Sequence, residues 1–509
     1  MHLSLNNSLG KWILPTTAPF SPEATNYFSR LDAAGDTTYV DYKQPLANYI
    51  DSLVTLGGAY WDDMLSSTSF VGVGIQGVTV PLRDGMTVPT QNNFVVGDLD
   101  QLAGLKSNGS TKYIDTGLVG TDLTLNDASW SCNITVAGSY IGVDYPMGSG
   151  VNESGAMNFL SVNGVNMESR VQAQARSIIY TGSVLNKTGF LGVSRSSSAA
   201  FDWQFDSVGG TNAVASNSPA PTSAFSVFGA SNLVSNDNRL ATYHIGPALN
   251  LATLEGLQAT LLSEIRTAHT FVAAASYFSR LAAAGDTTHV AYKQPLTNYI
   301  TSLVELGGAY WDDMLSATSF VGVGIQGVTV PLRDGMTVPT QNNFVAADLN
   351  QLTGLKGNLS SKWIDTNIGG QTPDQDDNSI STYATEVNTY NNYYLSTGGA
   401  LGATHIYPTS STNLICRISG AGTGVNATPL HFAGATRSAA SVMNIRANGT
   451  DFPNTTTSVQ QLTTNFNVFG RPNANRTDAR LATYHIGPAL NLATLEGLQD
   501  TLISEIAAI

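Results

Sequence analysis

The sequence predicts a mainly β protein built from two tandem β-sandwich modules of jelly-roll type. One observation is a verbatim repeat: the twenty residues RLATYHIGPALNLATLEGLQ occur at 239–258 and again at 480–499. The other is the pattern between the repeat ends. Short runs rich in β-branched and aromatic residues alternate there with Gly, Asn, Ser and Pro clusters, which is typical of sandwiches and jelly rolls.

Each repeat has a near-constant head, a variable middle and a near-constant tail. The heads begin with YFSRL at Tyr27 and Tyr277, an offset of 250, and both contain SFVGVGIQGVTVPLRDGMTVPTQNNFV. The tails are offset by 241 (Arg480 against Arg239), so the second middle is nine residues shorter. We interpret the constant ends as assembly or intramolecular docking surfaces and the diverged middles as exposed display surfaces.

Helices are predicted at both ends of each repeat. In the first head, apolar residues recur at helical spacing from Leu46 to Val54 after Pro45, and Gly57 and Gly58 end the helix. A second short helix is predicted over AYWDDML. In the tail, ATLEGLQATLLSEI keeps one apolar face and predicts a closing helix.

These patterns divide the chain into six segments. They are an N-terminal arm at 1–26, a helical lead at 27–66, a sandwich with its closing helix at 67–265, a linker at 266–276, a second lead at 277–316 and a second sandwich with closing helix at 317–509. The arm has no counterpart before the second copy and could reach a neighbouring subunit.

The order of short motifs is the same in both repeats. A Trp-Asp pair is followed by FVGVG, LRD, a GLK…IDT stretch, GVSRS or GATRS, and the closing RLATYHIGPAL segment. This order resembles the LamG-like, concanavalin A-like β-sandwich modules of tailed-phage structural proteins. The matching residues are 61–62, 70–74, 82–84, 104–117, 192–196 and 239–254 in the first copy, and 311–312, 320–324, 332–334, 354–367, 434–438 and 480–495 in the second.

The resemblance implies a virion component on the tail, a fibre or the capsid exterior, with glycan binding as the usual role of the sandwich. We therefore expect a non-enzymatic, homo-oligomeric virion protein without a cofactor, whose partners are other virion proteins and a host surface glycan. The alternatives are a non-viral glycan-binding adhesin and a polysaccharide-degrading tailspike.

The amino-acid composition further limits the classes of binding partner that are expected. Charged residues make up 12% of the chain, and 37 acidic against 23 basic residues give a net charge of −14. Backbone recognition of nucleic acid needs clustered Lys and Arg, so DNA, RNA and anionic membrane surfaces are not expected ligands. The sequence contains no run of about 18 apolar residues, which is the length that would predict a membrane-spanning helix.

The N-terminal sequence MHLSLNNSLGKWILPTTAPF lacks a basic stretch followed by an unbroken apolar core, so it is a poor signal peptide. The neutral polar composition is nevertheless typical of proteins that work outside a cell. A phage protein reconciles the two observations, because virions assemble in the host cytoplasm and leave by lysis.

Sugar binding needs exposed aromatic faces beside hydrogen-bonding side chains. The more suggestive segment is TYNNYY in the second middle, although packing in the core or at an interface is the competing interpretation. The candidates are Trp130, Tyr140 and Tyr145 in the first middle, and Tyr390, Asn391, Asn392, Tyr393 and Tyr394 in the second.

Catalytic signatures are weak. Glycoside hydrolysis needs two carboxylates flanking the bond, but the first middle holds only Glu153 and Glu168 as glutamates and the second only Glu386. Asp202 and Asp206 share one strand face and are expected to be solvated. GVSRSSS is not a nucleophile elbow, and GVGIQG lacks the Lys-Ser/Thr of a phosphate loop.

The remaining chemistry-bearing residues have structural interpretations. His244 and His485, in the repeated YHIGP, are expected to pack where the last strand meets the closing helix. DQDDN at 374–378 has the oxygen ligands that calcium prefers, but a solvated loop is the favoured interpretation. Cys132 and Cys416 occupy non-matching places and are expected to be buried free thiols.

Overall fold

The computed structural model describes residues 19–138, 143–150, 156–162, 166–173, 176–181, 187–216, 221–230, 233–234, 237–399, 402–472 and 474–509. The chain divides into two compact units between His269 and Thr270. Each unit contains one copy of the repeat, and we call them the first and second modules. Residues 266–276, the predicted linker, lie within a continuous helix, Leu251–Ala283.

The α-helices frame the strands in chain order. They are α1 (Pro22–Ala33), α2 (Lys43–Leu56), α3 (Leu251–Ala283), α4 (Lys293–Leu306) and α5 (Leu492–Ala507). Short 3-10 helices lie at Thr38–Tyr42, Gly58–Tyr60, Gly77–Thr79, Val96–Asp98, Gly120–Asp122, Thr288–Tyr292, Gly308–Tyr310, Gly327–Thr329 and Ala346–Asp348. None of the described helices has both the length and the apolar character that crossing a membrane requires.

The first module contains strands β1 (Ser66–Ser69), β2 (Thr90–Asn92), β3 (Leu99–Asp100), β4 (Gly104–Lys106), β5 (Tyr113–Val119), β6 (Ala128–Val136), β7 (Val143–Asp144), β8 (Met147–Ser149), β9 (Met157–Val162), β10 (Asn166–Val171), β11 (Ser177–Thr181), β12 (Gly189–Arg195), β13 (Phe201–Phe205), β14 (Val208–Asn212), β15 (Ala224–Val227), β16 (Gly229–Ala230), β17 (Leu233–Val234) and β18 (Arg239–Gly246).

The second module contains β19 (Ser316–Ser319), β20 (Thr340–Asn342), β21 (Leu349–Asn350), β22 (Gly354–Lys356), β23 (Trp363–Gly369), β24 (Asn378–Glu386), β25 (Leu395–Ser396), β26 (His405–Ser410), β27 (Asn413–Arg417), β28 (Thr423–Val425), β29 (His431–Ala439), β30 (Val442–Ala447), β31 (Thr450–Asn454), β32 (Asn465–Val468) and β33 (Arg480–Gly487).

Each module pairs two antiparallel sheets. In the first, the orders are β14-β13-β12-β6-β18-β4-β3, with β1 added on β18, and β11-β10-β9-β8-β15-β5-β2, with β7 added on β9. In the second, they are β21-β22-β33-β24-β29-β30-β31, with β19 added on β33, and β20-β23-β32-β25-β26-β27-β28. The predicted fold class, mainly β with two tandem sandwiches, is confirmed.

The two sheets of a module face each other across an apolar core. In the first module the ring of Trp130 on β6 lies 6.1 Å from Phe159 on β9 and 5.9 Å from Phe225 on β15. The closing helix covers the other face of the β6 sheet, where Glu255 accepts a hydrogen bond from Gln204 at 2.7 Å. We call the helix-covered sheet the helix-side sheet and its partner the opposite sheet.

Helix α2 forms as predicted, but the helix predicted over AYWDDML does not. Helix α2 buries Leu46 and Ile50 and ends at Gly57, whose φ of 59° suits glycine. Beyond it, Gly58–Tyr60 makes one 3-10 turn. The Asp62 carboxylate accepts the Gly58 backbone N–H at 2.8 Å, which closes a tight turn and prevents a regular helix from starting.

A buried aspartate ties the helical lead to the FVGVG segment. Asp36 accepts hydrogen bonds from the backbone N–H of Thr38 at 2.8 Å and of Gly74 at 2.7 Å. Asp286 makes the equivalent pair of bonds in the second module. A Cβ atom at Gly77 would overlap the Asp36 carboxylate, so GVGIQG encloses an internal carboxylate and not a phosphate.

The arginine of each GVSRS or GATRS motif is buried and binds backbone carbonyls. Arg437 donates to the carbonyl oxygens of Ile418 at 3.1 Å, Ala440 at 2.9 Å and Thr456 at 2.8 Å. Arg195 makes the corresponding bonds in the first module. Each guanidinium joins an interior strand of the helix-side sheet, β12 or β29, to the opposite sheet and to neighbouring loops.

Candidate functional site

The predicted aromatic residues of the first middle do not form one surface. Trp130 is 0% exposed and belongs to the core between the sheets, so it presents no face to a ligand. Tyr145 precedes β8 and is nearly buried beside Arg170 and Arg176, which both lower its pKa although burial raises it overall. Tyr140 lies outside the described residues.

The TYNNYY segment of the second middle divides into a rim and a core. Tyr390 is 39% exposed, and Asn391 beside it is also exposed. Asn392 donates to the Thr389 hydroxyl at 3.2 Å. Tyr394 is fully buried and its hydroxyl donates to a backbone carbonyl, so it serves the core.

Tyr393, between rim and core, joins an aromatic cluster on the opposite sheet. Its ring centroid lies 4.6 Å from that of Tyr407 and 5.1 Å from that of His405, and the latter two rings are 5.2 Å apart. His405 and Tyr407 alternate on β26 with the core residue Ile406. Both therefore lie on the sheet face that points away from the core.

Two arginines complete this cluster. The guanidinium of Arg471 lies 5.8 Å from the centre of the Tyr393 ring. Arg417 on β27 is the ladder partner of His405. Both arginines are partly exposed. We call the set Tyr393, His405, Tyr407, Arg417 and Arg471 the Tyr393 cluster.

Electrostatics hold His405 neutral. Burial, as the largest cause, together with the charges of Arg417 and Arg471 lowers its pKa to about 3. The Nδ1 atom lies 3.3 Å from the Gly398 carbonyl oxygen. The Nε2 atom is buried and has no hydrogen-bond partner among the described residues. Because a buried nitrogen of this kind normally has a partner, Nε2 marks a position for an additional polar group.

Strand register identifies the equivalent positions in the first module. Met147 pairs with Val227, and Leu395 pairs with Val468, which is the tail equivalent of Val227. Tyr145 and Tyr393 both lie two residues before these equivalent positions. The two tyrosines are therefore structurally equivalent although the surrounding middles have diverged.

The same register places an arginine at one position in both modules. His405 pairs with Ser396 and Arg417, while Asn158 pairs with Gly148 and Arg170. Arg170 is therefore the equivalent of Arg417. A Tyr and an Arg thus recur on the opposite sheet of both modules, while other positions of the surface differ.

Two of the candidate carboxylates, Glu386 and Asp202, are engaged by neighbouring side chains. Glu386 binds Lys356 at 2.6 Å and Arg480 at 3.3 Å, and the hydrogen bond from Lys356 lowers its pKa to about 2. A general acid needs the opposite shift. The Asp202 carboxylate accepts from the Thr211 hydroxyl at 2.6 Å, and Glu153 lies outside the described residues.

The repeated histidines are buried at matching places. His244 and His485 lie on β18 and β33, and burial lowers the pKa of each to about 4. The backbone of Ala59 or Ala309, beside each ring, raises the pKa and opposes this shift. They belong to the interior, as the sequence predicted, although their neighbours are β1 or β19 and the turn after α2 or α4.

No cluster of three or more His, Cys, Asp or Glu residues suited to a metal ion occurs in the described ranges. In the DQDDN segment, Asp377 accepts the backbone N–H of Ala489 at 2.8 Å and Asn378 donates to the Asp374 carbonyl at 2.7 Å. These bonds give the segment a role in loop structure. Cys132 and Cys416 are buried free thiols, as predicted.

Sequence reasoning missed His405, Tyr407, Arg417 and Arg471. The signal available was alternation: HIYP and NLICR each place polar or aromatic residues between apolar ones, at the spacing of a strand with two unlike faces. Alternation alone does not identify the neighbours of a strand, so it could not bring these four residues together with Tyr393.

Comparison with known proteins gives remote structural likeness only. No family model and no curated protein sequence matches the chain. Among solved structures, the CBM40 domain of the Ruminococcus gnavus IT-sialidase bound to α2,3-sialyllactose is 8% identical, with 34% of this chain and 99% of that chain covered and a TM-score of 0.24.

Two further structures show the same level of likeness. Domains LG4-5 of the mouse laminin α1 chain are 9% identical, covering 74% of this chain and 86% of that chain at a TM-score of 0.23. Domain 4 of AbnA, a GH43 arabinanase of Geobacillus stearothermophilus, in complex with arabinotriose, is 13% identical, covering 36% and 98% at a TM-score of 0.23. At these scores, the fold assignment rests on the sheet topology described above.

Proposed function

We propose that this protein binds a glycan through the Tyr393 cluster and does so as a non-enzymatic structural component of a phage virion. The observation that carries the binding proposal is the cluster itself, in which partly exposed Tyr407, Arg417 and Arg471 lie beside the largely buried rings of Tyr393 and His405. Exposed Tyr390 and Asn391 form its rim.

This combination suits a sugar. Aromatic rings bury the apolar face of a pyranose, while guanidinium and amide groups donate hydrogen bonds to ring hydroxyls. His405, Tyr407 and Arg417 lie on the paired strands β26 and β27, so the sheet fixes their positions before a ligand arrives. Rigid placement of the binding groups reduces the entropic cost of association.

Binding without hydrolysis is supported by the absence of a carboxylate from the Tyr393 cluster and by the state of Glu386. Its ion pairs keep Glu386 ionised, whereas hydrolysis needs one protonated carboxylic acid and a second carboxylate on the other side of the bond. A tailspike that degrades polysaccharide is therefore the less favoured alternative.

Glycan binding is tested with the full-length protein on a glycan array, followed by titration of any ligand found. Tyr407→Ala removes the ring, and Tyr407→Phe retains it. We expect the first variant to lose affinity by about tenfold, as removal of one well-packed aromatic contact does, and the second to stay close to the parent. Absence of binding to every glycan, by a folded protein, would refute this function.

The virion assignment rests on the motif order in the two repeats and on the neutral polar composition. Mass spectrometry of purified phage particles from the source sample tests it. We expect the chain at a stoichiometric level, and its copy number relative to the major capsid protein then separates a tail component from a capsid component. Particles that lack the chain would favour the adhesin alternative instead.

A further inference from the structure

We infer that the sugar bound by the Tyr393 cluster is acidic and is recognised through a carboxylate held by Arg417 and Arg471. This inference rests on the proposed glycan binding and narrows its ligand class. It follows from the charge of the cluster, from the buried histidine near both arginines and from the contrast with the equivalent surface of the first module.

The cluster carries a net positive charge in a protein with a net charge of −14. Among the ion pairs of the described residues, none includes Arg471, whose guanidinium stacks on Tyr393. The acid group nearest in the chain, Asp478, accepts a hydrogen bond from Thr389 at 2.6 Å. A planar guanidinium bound against an aromatic ring keeps its edge for a carboxylate, which it binds with two parallel hydrogen bonds.

His405 supplies the second argument. Its ring is 2% exposed and enclosed by Tyr393 and Tyr407, and its Nε2 atom lacks a partner among the described residues. Because Nδ1 faces the Gly398 carbonyl and carries the proton of the neutral ring, buried Nε2 is an acceptor whose burial is costly unless a ligand donates to it. An acidic sugar provides both the negative charge for the arginines and a hydroxyl group that donates to Nε2.

The first module provides the contrast. Arg170 occupies the position of Arg417, but Glu168 occupies the position of Ile415, since Glu168 pairs with Leu160 and Ile415 pairs with Tyr407. The Glu168 carboxylate lies 3.8 Å from the Arg176 guanidinium. Ala230 is the tail equivalent of Arg471. The first module therefore offsets the charge of its own surface and is expected not to select an acidic sugar.

The first experiment uses the full-length protein and an array of matched pairs, in which each carboxylated sugar is printed beside its methyl ester. The pair differs by one charge, so the ring shape and hydroxyl pattern are unchanged. We expect at least tenfold tighter binding of the acid than of its ester, and we expect this preference to fall as ionic strength rises.

Substitution of single arginines identifies the module that carries the preference for the acid over its ester. Arg471→Gln should weaken binding of the acid by about 10- to 100-fold, the loss typical of one charge-assisted hydrogen bond, and Arg471→Lys should restore part of it. Arg170→Gln, at the equivalent of Arg417 in the first module, is the matched control and should leave the affinity unchanged. Unfolding temperatures of all variants establish that the fold is retained.

The outcomes separate the two proposals. Equal binding of acids and their esters, or preference for sulfated over carboxylated sugars, would overturn the carboxylate inference while glycan binding stands. Loss of the acid preference in Arg170→Gln but not in Arg471→Gln would place the acidic site in the first module and refute the assignment to the Tyr393 cluster. No binding of any glycan would overturn both proposals.

Discussion

At the scale of single residues, the interior of both modules contains ionisable groups that are fixed in one protonation state. His244 and His485 are neutral because burial disfavours the imidazolium. Arg195 and Arg437 remain buried cations because several carbonyl oxygens surround each guanidinium. The histidines make the stability of the fold depend on pH, whereas the arginines make it depend on retention of the guanidinium group.

Acidification should destabilise the protein between about pH 6.5 and pH 4. The unfolded state binds a proton at each histidine below its ordinary pKa of about 6.5, whereas folded His244 and His485 resist protonation until about pH 4. The contribution of each neutral histidine to the free energy of unfolding is therefore fully present above pH 6.5. It is lost as the pH falls towards 4, by about 3 kcal/mol per histidine. Urea unfolding across this range measures the slope, and His244→Gln with His485→Gln should flatten it. An unchanged slope in the double variant would contradict the assignment.

Replacing Arg437 by methionine should lower the free energy of unfolding by about 3 kcal/mol or more. The guanidinium satisfies the carbonyl oxygens of Ile418, Ala440 and Thr456, and its loss leaves buried acceptors without donors. Arg266→Met, at an exposed helical position, is the control and should change the value by less than about 0.5 kcal/mol. Denaturant unfolding measures the free energy of unfolding of both variants. Equal losses would show that the hydrogen bonds from Arg437 to the carbonyl oxygens do not stabilise the fold.

At the scale of elements, the sequence predicts what depends on local pattern. The apolar spacing in α2, the glycine that ends it and the short alternating strands are all present in the structure. The helix predicted over AYWDDML does not form because the Asp62 carboxylate accepts the backbone N–H of Gly58 and closes a turn there. The Tyr393 cluster could not be predicted because its residues come from four separated segments, which only the strand register brings together.

Gly77 should be essential to the contact that Asp36 makes between the helical lead and the FVGVG segment. A Cβ atom there would overlap the Asp36 carboxylate and lie 2.9 Å from Leu31 Cδ2, so Gly77→Ala must break the bonds of Asp36 or displace α1. We expect a loss of about 2 kcal/mol, the scale of an overpacked core position, measured by thermal unfolding. Gly97→Ala is the control, since Gly97 has open space and the second repeat carries Ala347 there. Equal tolerance of both changes would contradict this role of Gly77.

At the scale of the whole molecule, duplication has preserved one scaffold and altered one surface. Both modules keep the buried Asp, Arg and His residues that join helices, loops and sheets. The middles differ in both sheets, and on the opposite sheet a Tyr and an Arg recur while their neighbours change. The opposite sheets of the two modules therefore share a Tyr and an Arg but differ in charge. Two such surfaces could bind two different ligands.

The first module should acquire a preference for acidic sugars when its carboxylate is removed. Glu168 occupies the register position of Ile415 and offsets the charge of Arg176, so Glu168→Ile leaves this surface with the charge of the Tyr393 cluster. In a chain whose second site is disabled by Arg471→Gln, we expect Glu168→Ile to tighten binding of a carboxylated sugar by about tenfold, a gain of the size expected for one charge-assisted hydrogen bond. Titration calorimetry measures the gain, and Glu168→Asp, which keeps the negative charge, should show none. An equal response of the two variants would mean that charge at this position does not determine the specificity of the first module.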